Sequence, residues 1–382
     1  MVGAARQKEA HLALLLAVLS AGSLAGQAPA PWRRSVYPTG INLSGNTGPQ
    51  IGVGFTIARQ ADSLARHLLD ASVVAAGGYG LRGSWFGLVT FRAPGLWPGW
   101  RLVASGLAQR EVRFEFVGLG NQSTYDPDLV TDSQPYFYKL RRTRYRGTLE
   151  VTRGLGGGRL VALAVGIAHT QFDSLPGPSR FLSDFGPQVV EVDRTARLSL
   201  VLDRRNNEYD PDRGFLAELS ATGGSGGSGY TQFTGAARGY LPIGAHTVLA
   251  VRVVAGRTAG RPPLSARFEL PMWEGSINPL GGPTSHRGLR SQRFIGRDVE
   301  FGNVELRQWL FRLGAHLEVL GAGFVDVGRV FEDEPFALTT QQLKFGPGLG
   351  LGLRRNGKPL VNVSVTKGPD GVVVTSRTGW AF

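Results

Sequence analysis

The sequence predicts an all-β chain, a 16-stranded antiparallel transmembrane β-barrel over residues 29–382. Three observations carry that prediction. Apolar and polar residues alternate with a period of two, as in "TARLSLVLD", where Ala196, Leu198, Leu200 and Leu202 share one face and Arg197, Ser199 and Asp203 the other. Such segments often reach roughly ten residues, longer than is usual in soluble sheets. Their charged residues keep to one parity, which fits a polar interior behind an apolar lipid-facing wall.

The first element precedes the barrel. Arg6 and Lys8 stand before the apolar run Leu12 to Leu19, followed by small residues around Ser23 and Ala25 and again around Gly26 and Ala28. That is the layout of a secretory signal peptide, expected over residues 1–28. The run is too short to span a bilayer. A chain with no cysteine fits an exported protein without a disulfide framework.

The strands follow in order at 36–44, 50–59, 70–79, 82–92, 99–110, 136–152, 158–171, 193–203, 214–222, 229–240, 246–257, 299–311, 315–329, 345–354, 360–367 and 371–382. "VELRQWLF" sets Val304, Leu306 and Leu310 against Glu305 and Arg307, and "HTVLAVRVV" repeats the pattern through Leu249, Val251 and Val253. No segment after the leader carries a helical stripe over three turns. An even strand number returns both ends to the periplasmic side, and the three longest connections, 111–135, 172–192 and 258–298, then face outward. The last strand, "VVVTSRTGWAF", places Val372, Val374, Trp380 and Phe382 on one face, and Trp380 and Phe382 are read as an insertion signal at a lipid-facing strand end.

Composition narrows the class. The chain has 55 glycines, 42% hydrophobic and 19% charged residues, too apolar for a solvated coil. The formal charge of +13 is spread over nearly every strand with no Lys/Arg block, so no nucleic-acid partner is expected. Arginines so dispersed suit a polar interior or anionic lipid headgroups, which makes outer-membrane lipids and lipopolysaccharide the expected surroundings. A secreted sandwich or propeller is the rival, and no blade-length repeat supports it.

No catalytic residue, cofactor or metal is expected. "GGSGG" at 223–227 matches a nucleophile-elbow pattern but lies in a low-complexity hairpin loop rather than a strand-to-helix turn. His169, His286 and His316 show no metal-ligand spacing. One segment remains unexplained by strands alone: "GGPTSHRGLRSQRF", 281–294, has more glycine, proline and arginine than a turn needs and reads as a long ordered loop.

Six stretches, "FEFVGLGNQS" at 114–123, "LDRRNNEYDPDRGFLAEL" at 202–219, "GGPTSHRGL" at 281–289, "GNVELRQWL" at 302–310, "GFVDVGRV" at 323–330 and the closing "GWAF", occur in an order that resembles the barrel of the BamA and TamA type, the bacterial surface antigen family. The resemblance covers nearly all of the chain after the leader. It implies an outer-membrane barrel in which the long loop before the twelfth strand folds into the lumen. There its arginine, here Arg287 followed by Gly288, meets acids of the following strands, here Glu305 and Asp326. Parity supports both acids independently, since Val304 and Leu306 flank one and Val325 and Val327 the other. Two positions depart from the family motif: His286 replaces an aliphatic residue and Leu289 an aromatic one. Family members that insert or export proteins also carry periplasmic POTRA modules, and no such module fits between residue 28 and the first strand.

Two functional readings follow. In one, the barrel helps insert or transport proteins or lipids at the outer membrane, with a client β-barrel or exported protein as cargo and a separate periplasmic partner protein in place of the modules. In the other it is a stand-alone pore or structural barrel partly plugged by the 258–298 loop.

Overall fold

The computed structural model describes residues 31–38, 47, 50–61, 69–314, 317–334, 336–338, 340–355 and 358–382. The expected leader lies outside them. The described strands are β1 (Trp32–Pro38), β2 (Gln50–Gln60), β3 (Leu69–Gly80), β4 (Trp85–Trp97), β5 (Trp100–Glu115), β6 (Lys139–Gly156), β7 (Arg159–Ser174), β8 (Gln188–Asp203) and β9 (Gly214–Gly224). They continue as β10 (Tyr230–Pro242), β11 (Thr247–Gly260), β12 (Leu270–Met272), β13 (Gly275–Ile277), β14 (Asp298–Leu313), β15 (Leu317–Phe331), β16 (Lys344–Arg355), β17 (Lys358–Gly368) and β18 (Gly371–Arg377). All but β12 and β13 form one 16-stranded antiparallel sheet in chain order, while those two pair as a small hairpin inside the connection from β11 to β14. Among the described residues no ladder joins β1 to β18.

Alternation explains the sheet. On β7, Leu163, Val165 and Ile167 are exposed apolar side chains, and on β8 so are Leu198 and Leu200, while Ser199 between them is buried. A face of exposed aliphatics opposite a buried polar face inverts the pattern of a soluble sheet and suits lipid outside and polar chemistry inside. No described helix is long and apolar enough to cross a membrane. The one α-helix among the described residues, α1 (Arg180–Phe185), is capped by Ser179, whose side chain accepts from Leu182 N, and tucks Phe181 against Phe116 and Phe172.

Strand ends move by up to five residues at β4, β5 and β8, and both terminal strands change. The first strand is Trp32–Pro38, earlier than 36–44, and residues 39–46 lie outside the described set. Its register is held by pairing Trp32 opposite Arg59, whose guanidinium sits 5.9 Å from the Trp32 ring, and by the Thr56 hydroxyl donating to Tyr37 Oη at 3.2 Å. The last strand ends at Arg377, not at residue 382. Gly379, at φ 77°, turns the chain out of the extended conformation, and the tail folds onto the polar face.

That polar face wraps around the 261–297 connection. Residues of its first limb bond to β4, β5, β6, β8 and β9, and residues of its second limb bond to β11 and β14 through β16. The face turned toward the connection is called inner below.

Candidate functional site

The site is built from the loop outward. Three glycines and a proline let 281–294 fold tightly without a helix: Gly282 N donates to the carbonyls of His286 and Leu289 at 3.1 and 3.0 Å, and Phe294 N donates to Leu280 O at 3.2 Å. Gly281 needs its hydrogen side chain twice over, since its φ is +120° and a Cβ there would stand 2.2 Å from Arg290 O. Leu289 is fully buried in an apolar cluster with Leu280, Phe294, Phe301 and Val330. The aliphatic side chain therefore packs the loop tip without an aromatic ring. His286, also buried, places Nε2 3.0 Å from Lys344 O on β16. Burial pushes its imidazole below the ordinary value, outweighing Asp326 and that hydrogen bond.

Arg287 is the centre of the arrangement. Its Nε and Nη2 donate to the two Asp326 oxygens at 2.8 and 2.7 Å, and its backbone N donates to Oδ2 at 2.8 Å. Nη1 bonds to Glu305 Oε2, and the guanidinium lies 3.3 Å from the centre of the Phe324 ring. Arg287 is 3% exposed, and Glu305 and Asp326 are 0% exposed. A planar fork on one carboxylate with its remaining nitrogen on a second is a geometry that a lysine ammonium cannot reproduce. Removing one partner from such a buried set leaves an uncompensated charge, which costs far more than losing a surface pair.

Strand register supplies the surroundings. Arg252 on β11, Asn303 on β14, Asp326 on β15 and Gly346 on β16 are successive cross-strand partners, so they form one inner row. Asn303 Nδ2 donates to both Asp326 Oδ1 and Ser285 O at 2.7 Å, and Arg252 donates to Asn303 Oδ1 and Thr284 O at 2.8 Å. Where the row reaches β16 a side chain would block the loop. Gly346 stands there instead, and Gly288 packs against its Cα and against Thr366, while Gly288 O lies where a Cβ on Gly368 would be.

The first limb of the connection is held as firmly on the opposite side. Glu191 on β8 accepts from Leu264 N and Ser265 N at 2.7 and 2.9 Å, and Glu218 on β9 accepts from Trp273 N at 2.7 Å. Glu269 pairs with Arg144 and Arg146 of β6. At the tip of the β12–β13 hairpin, Glu274 adopts φ 57° and bonds to Arg92 and Arg101 of β4 and β5. Between this limb and the wall lies a polar cavity of about 350 Å³, lined among others by Arg144, Arg146, Glu150, Arg197 and Glu269.

Trp380 and Phe382 do not share the outward face of Val372 and Val374. Trp380 is buried, donates from Nε1 to Asp210 Oδ1 at 2.7 Å and stacks 4.4 Å from the Arg307 guanidinium. Phe382 lies 4.7 Å from the Arg252 guanidinium, and its O accepts from Arg307 Nη2 at 2.9 Å. The turn between β8 and β9 reaches the same region: Glu208 takes two bonds from Arg101 at 2.6 and 2.9 Å. Asn303, Phe324, Arg252 and Arg307 were not singled out in the sequence, although Asn303 and Arg307 share the parity of Glu305 on "GNVELRQWL" and could have been found from it.

Residues 84–362 match the model of the Omp85 superfamily domain. No curated protein matches the chain in sequence. Among solved structures it resembles BamA from Haemophilus ducreyi lacking POTRA domains 1–3, at 13% identity and a TM-score of 0.57, covering 91% of this chain and 70% of that one. It also resembles CdiB from Escherichia coli, at 14% identity and a TM-score of 0.56, with 93% and 63% of the two chains covered. CdiB from Acinetobacter baumannii follows at 12% identity and a TM-score of 0.50, with 90% and 59% covered.

Proposed function

This chain belongs to the Omp85 superfamily, and from that premise we propose that its barrel helps insert or carry polypeptide or lipid at the outer membrane together with a separate periplasmic partner protein. It is an outer-membrane β-barrel protein. In this reading residues 1–28 are a cleaved leader, residues 29–382 form the barrel, and the 261–297 connection is a plug inside its lumen. His286, Arg287, Gly288 and Leu289 form the plug's docking motif, Glu305 and Asp326 are its anchors, and Trp380 and Phe382 serve insertion. The observation that carries the reading is the buried fork of Arg287 on Asp326 with its third nitrogen on Glu305, which ties the connection to two consecutive strands. Crosslinking in the native envelope followed by pull-down is the test. Recovery of one periplasmic protein and of nascent outer-membrane or exported chains is expected, and recovery of neither would remove the assembly role.

One observation favours a second reading, a stand-alone pore: the polar cavity of about 350 Å³ beside the plug. Large, steady single-channel conductance by the purified chain alone would support it.

A further inference from the structure

Near the end of the sheet that carries the short turns, the inner face gathers more guanidinium groups than carboxylates. Arg238 on β10 stands directly opposite Arg252 on β11 in the ladder, an arrangement that like charges disfavour. Among the described residues Arg238 makes no hydrogen bond or ion pair, and its Nε is buried. Two acids lie nearby. Asp203 takes two bonds from the Arg205 guanidinium at 2.9 and 2.8 Å, and Glu218 accepts from Trp273 N and from the Ser220 hydroxyl.

The neighbours of Arg238 add charge and unused donors. Arg252 gives its nitrogens to the neutral oxygens of Asn303, Thr284 and Ala381, and Arg377 gives Nη1 to Pro283 O and Ala381 O. Arg307 bonds to Glu305 through Nε, yet its Nη1 is buried without a partner. So is the hydroxyl of Tyr240, which is 4% exposed, two residues along β10 from Arg238, with its ring 5.6 Å from the Arg307 guanidinium. Glu305 is already shared by Arg287 and Arg307. Glu218, bonded only by neutral donors, offsets one cation, while Arg238, Arg252 and Arg377 make three. Arg238 and Arg377 are half-buried and Arg252 is buried, and positive charge gathered in this excess draws a counter-charge.

We propose that the cluster of Arg238, Tyr240, Arg252, Arg307 and Arg377, which gathers around the Phe382 ring, binds a phosphate-type oxyanion, either free or carried on a lipid headgroup. A tetrahedral anion offers several acceptor oxygens in different directions, which matches converging guanidinium and hydroxyl donors better than a two-oxygen carboxylate or a spherical halide.

The test uses the full chain, purified in detergent without phosphate and judged folded by heat-modifiable migration. Its melting midpoint is followed against inorganic phosphate and, separately, against micelles doped with phosphatidic acid. The wild type should show a saturable rise. Arg238→Gln should melt higher than wild type without phosphate, because the like-charge opposition is gone, and should bind about tenfold more weakly, reversing the order at saturation. Tyr240→Phe should also raise the phosphate-free midpoint, because it removes a buried hydroxyl without a partner, and should weaken the response. A response to phosphatidic acid alone assigns the oxyanion to a headgroup, and a response to inorganic phosphate alone assigns it to a free ion. Equal responses in wild type and both variants, no response in wild type, or the same rise with chloride at matched ionic strength would overturn the proposal.

Discussion

At the scale of single residues, Arg287 and its two acids behave as one group, so their energies should not add. Arg287→Ala is expected to lower stability by about 3 kcal/mol or more, since it leaves two buried carboxylates without a cation. Arg287→Lys should recover part of that. In a double-mutant cycle with Asp326→Asn, read as heat-modifiability in detergent, the pair should couple strongly, and strict additivity would show that the contact carries no energy. Glu208 gives a pH-dependent counterpart. Burial alone would raise its carboxyl, but the hydrogen bonds and charge of Arg101, with Arg92 beside it, hold it down at about 2 against an ordinary 4.5. A carboxylate depressed in the folded state stabilises above its unfolded value, and that stabilisation disappears as pH falls from 4.5 toward 2. Wild type should therefore lose melting temperature through that window relative to Glu208→Gln, and parallel profiles would show that the pair is inert. Glu305 and Asp326 were legible because β-strand parity is a local property. Asn303 shares the parity of Glu305 and was open to the same reading, whereas Phe324 and Arg252 were not legible, because their meeting with Arg287 depends on register across β11, β14 and β15.

At the scale of elements, the strands were legible and the ends of the sheet were not. Period-two alternation marks a strand wherever it has two different faces, and β14 at Asp298–Leu313 lies within two residues of the expected 299–311 at each end. The tail misled because "VVVTSRTGWAF" keeps its alternation on paper after the chain has turned at Gly379. Parity cannot register a change of direction. The connection raises a sharper expectation, because Gly288 lies 3.1 Å from Gly346 Cα and 3.0 Å from a Thr366 methyl when given a Cβ. Gly288→Ala should push the loop off β16 and β17 without touching any charge, costing about 1 to 3 kcal/mol and exposing 281–294 to protease. An unchanged cleavage pattern would mean that the loop has slack at that contact.

At the scale of the whole molecule, connection length predicts orientation: the long segments after β5, β7 and β11 should face out and the short turns should face the periplasm. Cysteine placed at exposed Asp128 should therefore label with a membrane-impermeant reagent on intact cells, whereas cysteine at exposed Arg213 should not. The reverse result would turn the barrel over. Strand number and chain order could be read from sequence because each hairpin is a local event. The wrapping of β4 and β16 around one connection could not, because it brings together residues such as Arg101 and Glu274 that lie 173 positions apart. In mechanical terms that connection is a tie-rod. Its limbs pull on β4, β5, β6, β8 and β9 from one side and on β11 and β14 to β16 from the other, and among the described residues no hydrogen bond or ion pair runs from it to β1 or β2. A shell tied across its middle is stiff there and compliant at its untied margin, so slow elastic motion collects in β1 and β2. Their amides should exchange with deuterium sooner than those of β14 and β15, and the difference should shrink when Arg287→Ala cuts the rod.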